Sequence, residues 1–198
     1  MGIIQHLAGR FVRQHGGRVR VPRIIEREVR NHARPGGATE REQRKAAAAT
    51  AIVAAFFLGK SRFPQPELST EDLPTVERIM EALKNLPGGM NKTHGGEAEL
   101  IALAAREQKA TGTRQVLLSN DGGASVVAAR YQIPTRHAAD VLAEFACADP
   151  GLSPTECTAL FRSACEISAP PVVSRPADDS AFTCSHANGL CGPCDNAE

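Results

Sequence analysis

Two stretches of this chain carry residue types whose spacing could do chemistry together. Gly95-Gly96-Glu97-Ala98-Glu99-Leu100-Ile101-Ala102-Leu103-Ala104 reads as an Ala/Leu helix with two carboxylates in its opening turn. Farther on, Val116-Leu117-Leu118-Ser119-Asn120-Asp121 reads as a short apolar strand that ends on an acid. Carboxylates at the start of a helix and the end of a neighbouring strand can converge on one hard cation such as Mg²⁺ or Mn²⁺. A cation held there would lower the pKa of a bound water and stabilise charge on a phosphate oxygen. Taken singly, the same residues have ordinary uses. Glu97 and Glu99 suit a helix N-terminus, where the dipole favours an anion, and Asp121 suits a turn before Gly122-Gly123.

A second set of ligand types lies near the end. Cys184-x-His186-x4-Cys191-x2-Cys194 offers three thiolates and one imidazole, the number and kind that a structural Zn²⁺ takes. The competing reading is free thiols in a tail. Cys191-Gly192-Pro193-Cys194 also spells a thioredoxin-type redox motif, but that chemistry needs the first Cys at a helix N-terminus. Only four residues follow Cys194, so the motif predicts no oxidoreductase. Cys147, Cys157 and Cys165 fall on apolar helix faces and read as core residues. His94 reads as a loop or cap residue and His137 as the start of a helix.

The elements that must position these groups follow from periodicity and punctuation. Ile3–Gln14 is a weakly amphipathic helix stopped by Gly16-Gly17, and Arg18–Val21 is a short strand. Pro22 suits the first turn of a helix reaching about Asn31. Thr39 with Glu42 forms a capping box for a helix through the alanines to Phe57. Ser69 or Thr70 caps a helix ending near Leu86, before Pro87-Gly88-Gly89. The acid-bearing helix comes next, then a strand at 114–119, a helix at 123–131, a short strand into Ile133, and helices at 136–147 and 153–167. From Ser168 the chain is rich in Pro, Ser, Asp and Ala, a composition that predicts disorder. The expected fold is therefore α/β, with a small parallel sheet sandwiched by helices and a disordered, Cys-containing C-terminal tail. The boundaries read as a domain over 1–150, a C-terminal helix over 151–167 and a tail over 168–198.

Bulk composition narrows the classes. The chain has 198 residues, enough for one core. Aromatics make up 4% with no Trp, which leaves little material for stacking on single-stranded bases. Residues 1–67 hold 13 Lys/Arg against 5 acids, and the remaining 131 hold 10 against 17. A basic half beside an acidic half is compatible with a polyanion meeting an acidic pocket, as well as with ordinary surface variation. The start lacks the apolar run of a secretory signal, and Ala46–Gly59 is too short to span a bilayer. A cytoplasmic protein with reduced thiols is the expectation.

Taken in order, three passages resemble the PIN-domain family of metal-dependent ribonucleases, which includes toxin components of toxin–antitoxin pairs. Val19–Val29 (VRVPRIIEREV) is similar to the family's second strand entering a helix, which puts an acid at Glu28. Gly96–Ala104 (GEAELIALA) is similar to the helix that supplies the next acid, Glu97, with Glu99 as the other register. Val116–Asp121 and Ser125–Pro134 (VLLSND, SVVAARYQIP) are similar to the family's strand, terminal Asp, helix and Ile-Pro step. The resemblance covers roughly residues 3–147, and the order of its motifs is more specific than any one of them. One departure stands out. The family opens with a strand ending in Asp, and this chain has no Asp before Asp72, so it reads as beginning after that strand.

The resemblance implies RNA phosphodiester hydrolysis, with Glu28, Glu97 and Asp121 as catalytic acids and with Glu99 joining them around Mg²⁺ or Mn²⁺. Asn120 or Ser119 would orient a water or a phosphate, and Arg18, Arg20 and Arg23 would contact the RNA backbone. It also implies an antitoxin-like protein partner and a homodimer. Two other classes remain open on the residues alone. One is a degenerate, non-catalytic PIN-like module that binds RNA or a protein, favoured by the missing Asp. The other is a small helical regulatory protein whose acids are all surface groups.

Overall fold

In a computed structural model the described residues are 18–34, 36, 39–58, 63–90, 94–148, 152–167 and 182. The expected helix at Ile3–Gln14 lies outside them, as does the Cys184/His186/Cys191/Cys194 set. The chain divides into two compact units, Met1–Thr113 and Arg114–Glu198.

The first unit is helical throughout its described part. Helix α1 (Arg23–His32) starts after Pro22, whose extended ψ and missing N–H suit the residue just ahead of a helix. The expected strand at Arg18–Val21 does not form. Val21 N–H donates to the Pro64 carbonyl at 3.1 Å, but the segment pairs with no strand among the described residues. Helix α2 (Glu40–Ile52) begins on the predicted capping box. Thr39 Oγ1 accepts from Glu42 N–H at 3.2 Å, and Glu42 Oε2 accepts from Thr39 N–H at 2.9 Å. The alanine run then widens into a π-helical turn over Val53–Phe57.

Of the two expected caps for the next helix, Ser69 is the one used. Its N–H and hydroxyl both donate to Asp72 Oδ2, at 2.7 and 2.9 Å. A 3₁₀ turn (Thr70–Asp72) leads into α3 (Leu73–Lys84). Asp72 is nearly buried and pairs with Arg106 of the following helix. Burial would raise its pKa, but the Ser69 hydrogen bonds and the Arg106 guanidinium together hold it below the usual carboxylate range.

Helix α4 (Gly95–Thr111) packs against α3. Val76, Ile79 and Leu83 of α3 and Ala98, Ile101 and Ala102 of α4 are buried, following the i, i+3, i+4 spacing of one helix face. A second cluster joins Phe56 and Phe57 to Phe63, with ring centroids 5.3 and 6.5 Å apart respectively.

The second unit holds a β–α–β step. Strand β1 (Leu117–Leu118) pairs in parallel with β2 (Thr135–Arg136), and α5 (Gly122–Arg130) connects them. Leu117 N–H donates to the Pro134 carbonyl and Ser119 N–H to the Arg136 carbonyl, the slanted pattern of a parallel pair. The second strand thus falls just past Ile133 rather than running into it. Ile133 is buried instead, with Val127 and Ala128 of α5. Helices α6 (Ala138–Ala148) and α7 (Pro154–Ile167) pack together, and Phe182 lies against Phe161 of α7. The fold is therefore helix-rich α/β with a small two-stranded parallel sheet.

Candidate functional site

The sequence-predicted acids fall into two places. Glu28 lies on α1, and its carboxylate rests against the first turn of α4. A Cβ added at Gly96 would stand 2.9 Å from Glu28 Oε1 and 3.2 Å from Oε2. The absence of a side chain at Gly96 leaves room for the Glu28 carboxylate in this position. Glu97 and Glu99 follow on the same turn of α4. Burial raises the pKa of Glu28 most, Glu97 raises it further, Arg27 opposes, and Glu99 adds to the rise. Glu99 is raised by burial too, with Arg27 opposing. Glu28, Glu97 and Glu99 therefore lie on one acidic side of the first unit.

Asp121 sits in the second unit at the carboxyl end of β1. There it caps α5, Oδ1 accepting from Ala124 N–H at 2.9 Å. Ser119 Oγ accepts from Asp121 N–H at 3.1 Å, and Asn120 Oδ1 accepts from Ala138 N–H at 3.0 Å. These polar groups thus build the loop that joins β1 to α5. Among the described residues, no group of three or more His, Cys, Asp or Glu side chains is placed to hold a metal ion.

Two histidines that looked plain in the sequence have defined roles. His94, at φ 48°, turns the chain into α4 and is buried. Its Nε2 lies 2.8 Å from the Gly89 carbonyl. Since a carbonyl only accepts, Nε2 carries the proton, and Nδ1 has no hydrogen-bond partner among the described residues. His137 Nδ1 lies 2.7 Å from the Ser119 carbonyl. The same reasoning places its proton on Nδ1 and leaves the Nε2 lone pair available in the neutral ring. Cys157 is buried and its sulfur donates to the Leu142 carbonyl at 3.7 Å. Burial, and secondarily Glu156, push its thiol pKa up, which fits a core residue rather than a nucleophile. The side chain of Cys147 is outside the described ones.

Sequence reasoning had singled out Arg18, Arg20 and Arg23 and missed the larger basic feature. Arg23, Arg27, Arg30 and Arg34 run along α1 and the turn after it, and all four line one open groove of about 660 Å³. Ile24, Glu26, Asn31, Gln65 and Glu99 complete its wall. The 4-3-4 spacing was visible in the sequence as one helical face. Arg20 instead pairs with Glu107 at 3.1 Å. Lys45 of α2 stands close enough to His32 of α1 that, after burial, it is the second cause of that imidazole's lowered pKa.

The acidic corner makes a pH-dependent prediction. Glu28 binds its proton more tightly when folded, so its ionised form costs stability above the usual glutamate value, about 4.3. That cost sets in as pH rises from there through the raised folded value. Glu28→Gln should therefore raise the thermal midpoint of the first unit at pH 7, by an amount worth roughly 0.5 kcal/mol after solvent screening. The gain should vanish below pH 4. Unfolding curves of both proteins across this range would show it, and an equal gain at all pH values would refute it.

No helix among the described residues is long and apolar enough to cross a membrane. Compared with family models, curated proteins and solved structures, the chain matches none.

Proposed function

We propose that this chain is a PIN-like module that binds RNA without cleaving it. The observation that carries this reading is the fate of the acids. Asp121 uses its carboxylate to cap α5, and the described acids form no three-membered ligand set. In this reading no cation is held there to activate a water or to neutralise phosphate charge. The acid-bearing α4, followed by β1 and then by Asp121 at the start of α5, keeps the order on which the family resemblance rests. The basic face of α1 supplies the charge that an RNA backbone needs.

A Mg²⁺- or Mn²⁺-dependent ribonuclease is the second reading. One observation favours it: Glu28 is crowded by Glu97 and Glu99, and a cation would relieve that repulsion. An antitoxin-like protein partner and a homodimer belong to this reading as well.

Thermal unfolding with EDTA, Mg²⁺ or Mn²⁺ separates the two, because a ligand of the folded state alone raises its stability. It would be run with Glu97→Gln and Asp121→Asn beside the parent, and with a labelled RNA to score binding and cleavage. The RNA-binding reading expects bound, intact RNA and no cation-dependent midpoint. Stabilisation by Mn²⁺ that both variants lose, together with cleavage, would replace it with the enzyme. Failure to bind RNA in any condition would remove both.

A further inference from the structure

We infer that Cys184, His186, Cys191 and Cys194 bind one structural Zn²⁺, and that Phe182, packed on α7, seats this end of the chain beside that helix. The site stands apart from the RNA-binding reading and needs no nucleic acid.

The four ligand residues lie outside the described ones, so their types and spacing carry the chemistry. Three Cys and one His form a set that structural zinc takes. Iron–sulfur clusters use four Cys, or two Cys with two His in the Rieske case. Hard cations such as Mg²⁺ prefer oxygen donors. Asn188-Gly189 is the strongest short hairpin signal, and with this pair at the tip His186 faces Cys191. Directly opposed residues stand about 4.5–5.5 Å apart at Cβ, a gap that one ion bonded to both side chains fills. Cys184, two residues before His186, falls on the same face of an extended arm. Gly192-Pro193 turns the chain between Cys191 and Cys194, which brings the fourth ligand back to the ion.

Residues 183–198 contain Leu190 as their one large aliphatic side chain and have no aromatic, so they build no core of their own. Segments this short take a definite shape through a metal or disulfides. The described structure adds the anchor. Phe182 is 1% exposed and packs against Phe161, so the chain is back on α7 two residues before Cys184. Two residues reach about 7 Å, and a first ligand tethered at that distance has less freedom to lose when the ion binds. Cys157 is in the core, its sulfur donating to the Leu142 carbonyl. Cys165, four residues past Phe161, is a free and partly exposed thiol, and it serves as the control. Binding changes no oxidation state. Three thiols give their protons to solvent as the thiolates bond to the ion.

The test uses the full chain, purified with reductant and without a polyhistidine tag, then stripped of metal and titrated with Zn²⁺ or Co²⁺ alone. Metal content is read by mass spectrometry and coordination by the visible spectrum of Co²⁺. Location is read from the paramagnetic effect of Co²⁺ on the NMR signals of α7. The variants are Cys184→Ser, His186→Ala, Cys191→Ser and Cys194→Ser, with Cys165→Ser beside them. Circular dichroism melts check that each is folded.

The expected result is one Zn²⁺ per chain, about three protons released on rebinding near pH 7, and a tetrahedral, thiolate-bound Co²⁺ spectrum. Each ligand variant should weaken binding by more than about 100-fold, beyond the loss typical of outer-shell partners. Cys165→Ser should change nothing, and Co²⁺ in the parent should shift or broaden signals around Phe161. No uptake by the reduced chain would overturn the site and leave free thiols in a tail. Uptake that survives Cys191→Ser and Cys194→Ser but not Cys165→Ser would overturn the ligand set. Iron with a visible chromophore would overturn the choice of metal. Bound Co²⁺ without any effect on α7 would overturn the seat provided by Phe182.

Discussion

Gly89→Ala is expected to destabilise the first unit by about 3 kcal/mol, the range of substitutions that force backbone apart. A Cβ at this position would stand 2.1 Å from the Leu83 carbonyl oxygen and 3.0 Å from that of Lys84. Neither atom can swing away as a side chain could, because both belong to the last turn of α3. The same glycine ties the turn together. Its N–H donates to the Leu86 carbonyl at 2.9 Å, and its own carbonyl accepts from His94 Nε2 at 2.8 Å. Moving Gly89 to admit a methyl group therefore disturbs the entry to α4, where Glu28 rests on Gly96. The neighbouring Gly88→Asn serves as the control. Space around Gly88 is open, and its φ of +76° is one that Asn adopts at small cost. Chemical denaturation of the three proteins would show the effect. Equal stability of Gly89→Ala and the parent would mean that the turn does not pass where the structure puts it.

The second large effect concerns the other unit. Phe182 is 1% exposed, and its ring centroid lies 6.2 Å from that of Phe161 on α7, tilted by 53°. Deleting a buried aromatic side chain removes its transfer free energy and leaves a cavity, typically a loss of 3–5 kcal/mol. The lost ring–ring contact adds to this. Phe182→Ala should thus lower the stability of the second unit by about 3 kcal/mol. A calorimetric scan that resolves the two units would report it. An unchanged second transition would show that Phe182 is not part of that core.

This result bears on the part of the chain read from composition as a tail. Residues 168–198 have the Pro-, Ser- and Asp-rich makeup of a segment that buries little, yet one aromatic within it is fully buried. Composition averages over a segment, while a single Phe can still find a complementary surface once α7 exists. The Cys/His set that follows Phe182 lies outside the described residues.

Most of the helices were legible in the sequence because their signals are local. The Thr39–Glu42 capping box, Pro22 ahead of α1 and the apolar face of α3 each act within one or two turns of chain. The helix that bears Glu97 and Glu99 and the acid that ends β1 were equally visible. Strands were harder. Arg18–Val21 has the alternation of a strand but no partner, and pairing depends on residues far away in sequence. Leu117–Leu118 does find one, at Thr135–Arg136, because α5 returns the chain alongside it.

The sequence by itself thus determined which residues carry charge, where most helices begin, and in what order Glu28, Glu97, Glu99 and Asp121 follow one another. Only the tertiary structure decided which of them meet. Packing of α1 on α4 lays the Glu28 carboxylate against Gly96, beside Glu97 and Glu99, while the Asp121 carboxylate accepts from Ala124 N–H at the start of α5. The physical reason is range. Propensity and capping act over a few residues, but convergence of side chains requires helices to pack, and packing is set by contacts between segments that the linear order leaves far apart.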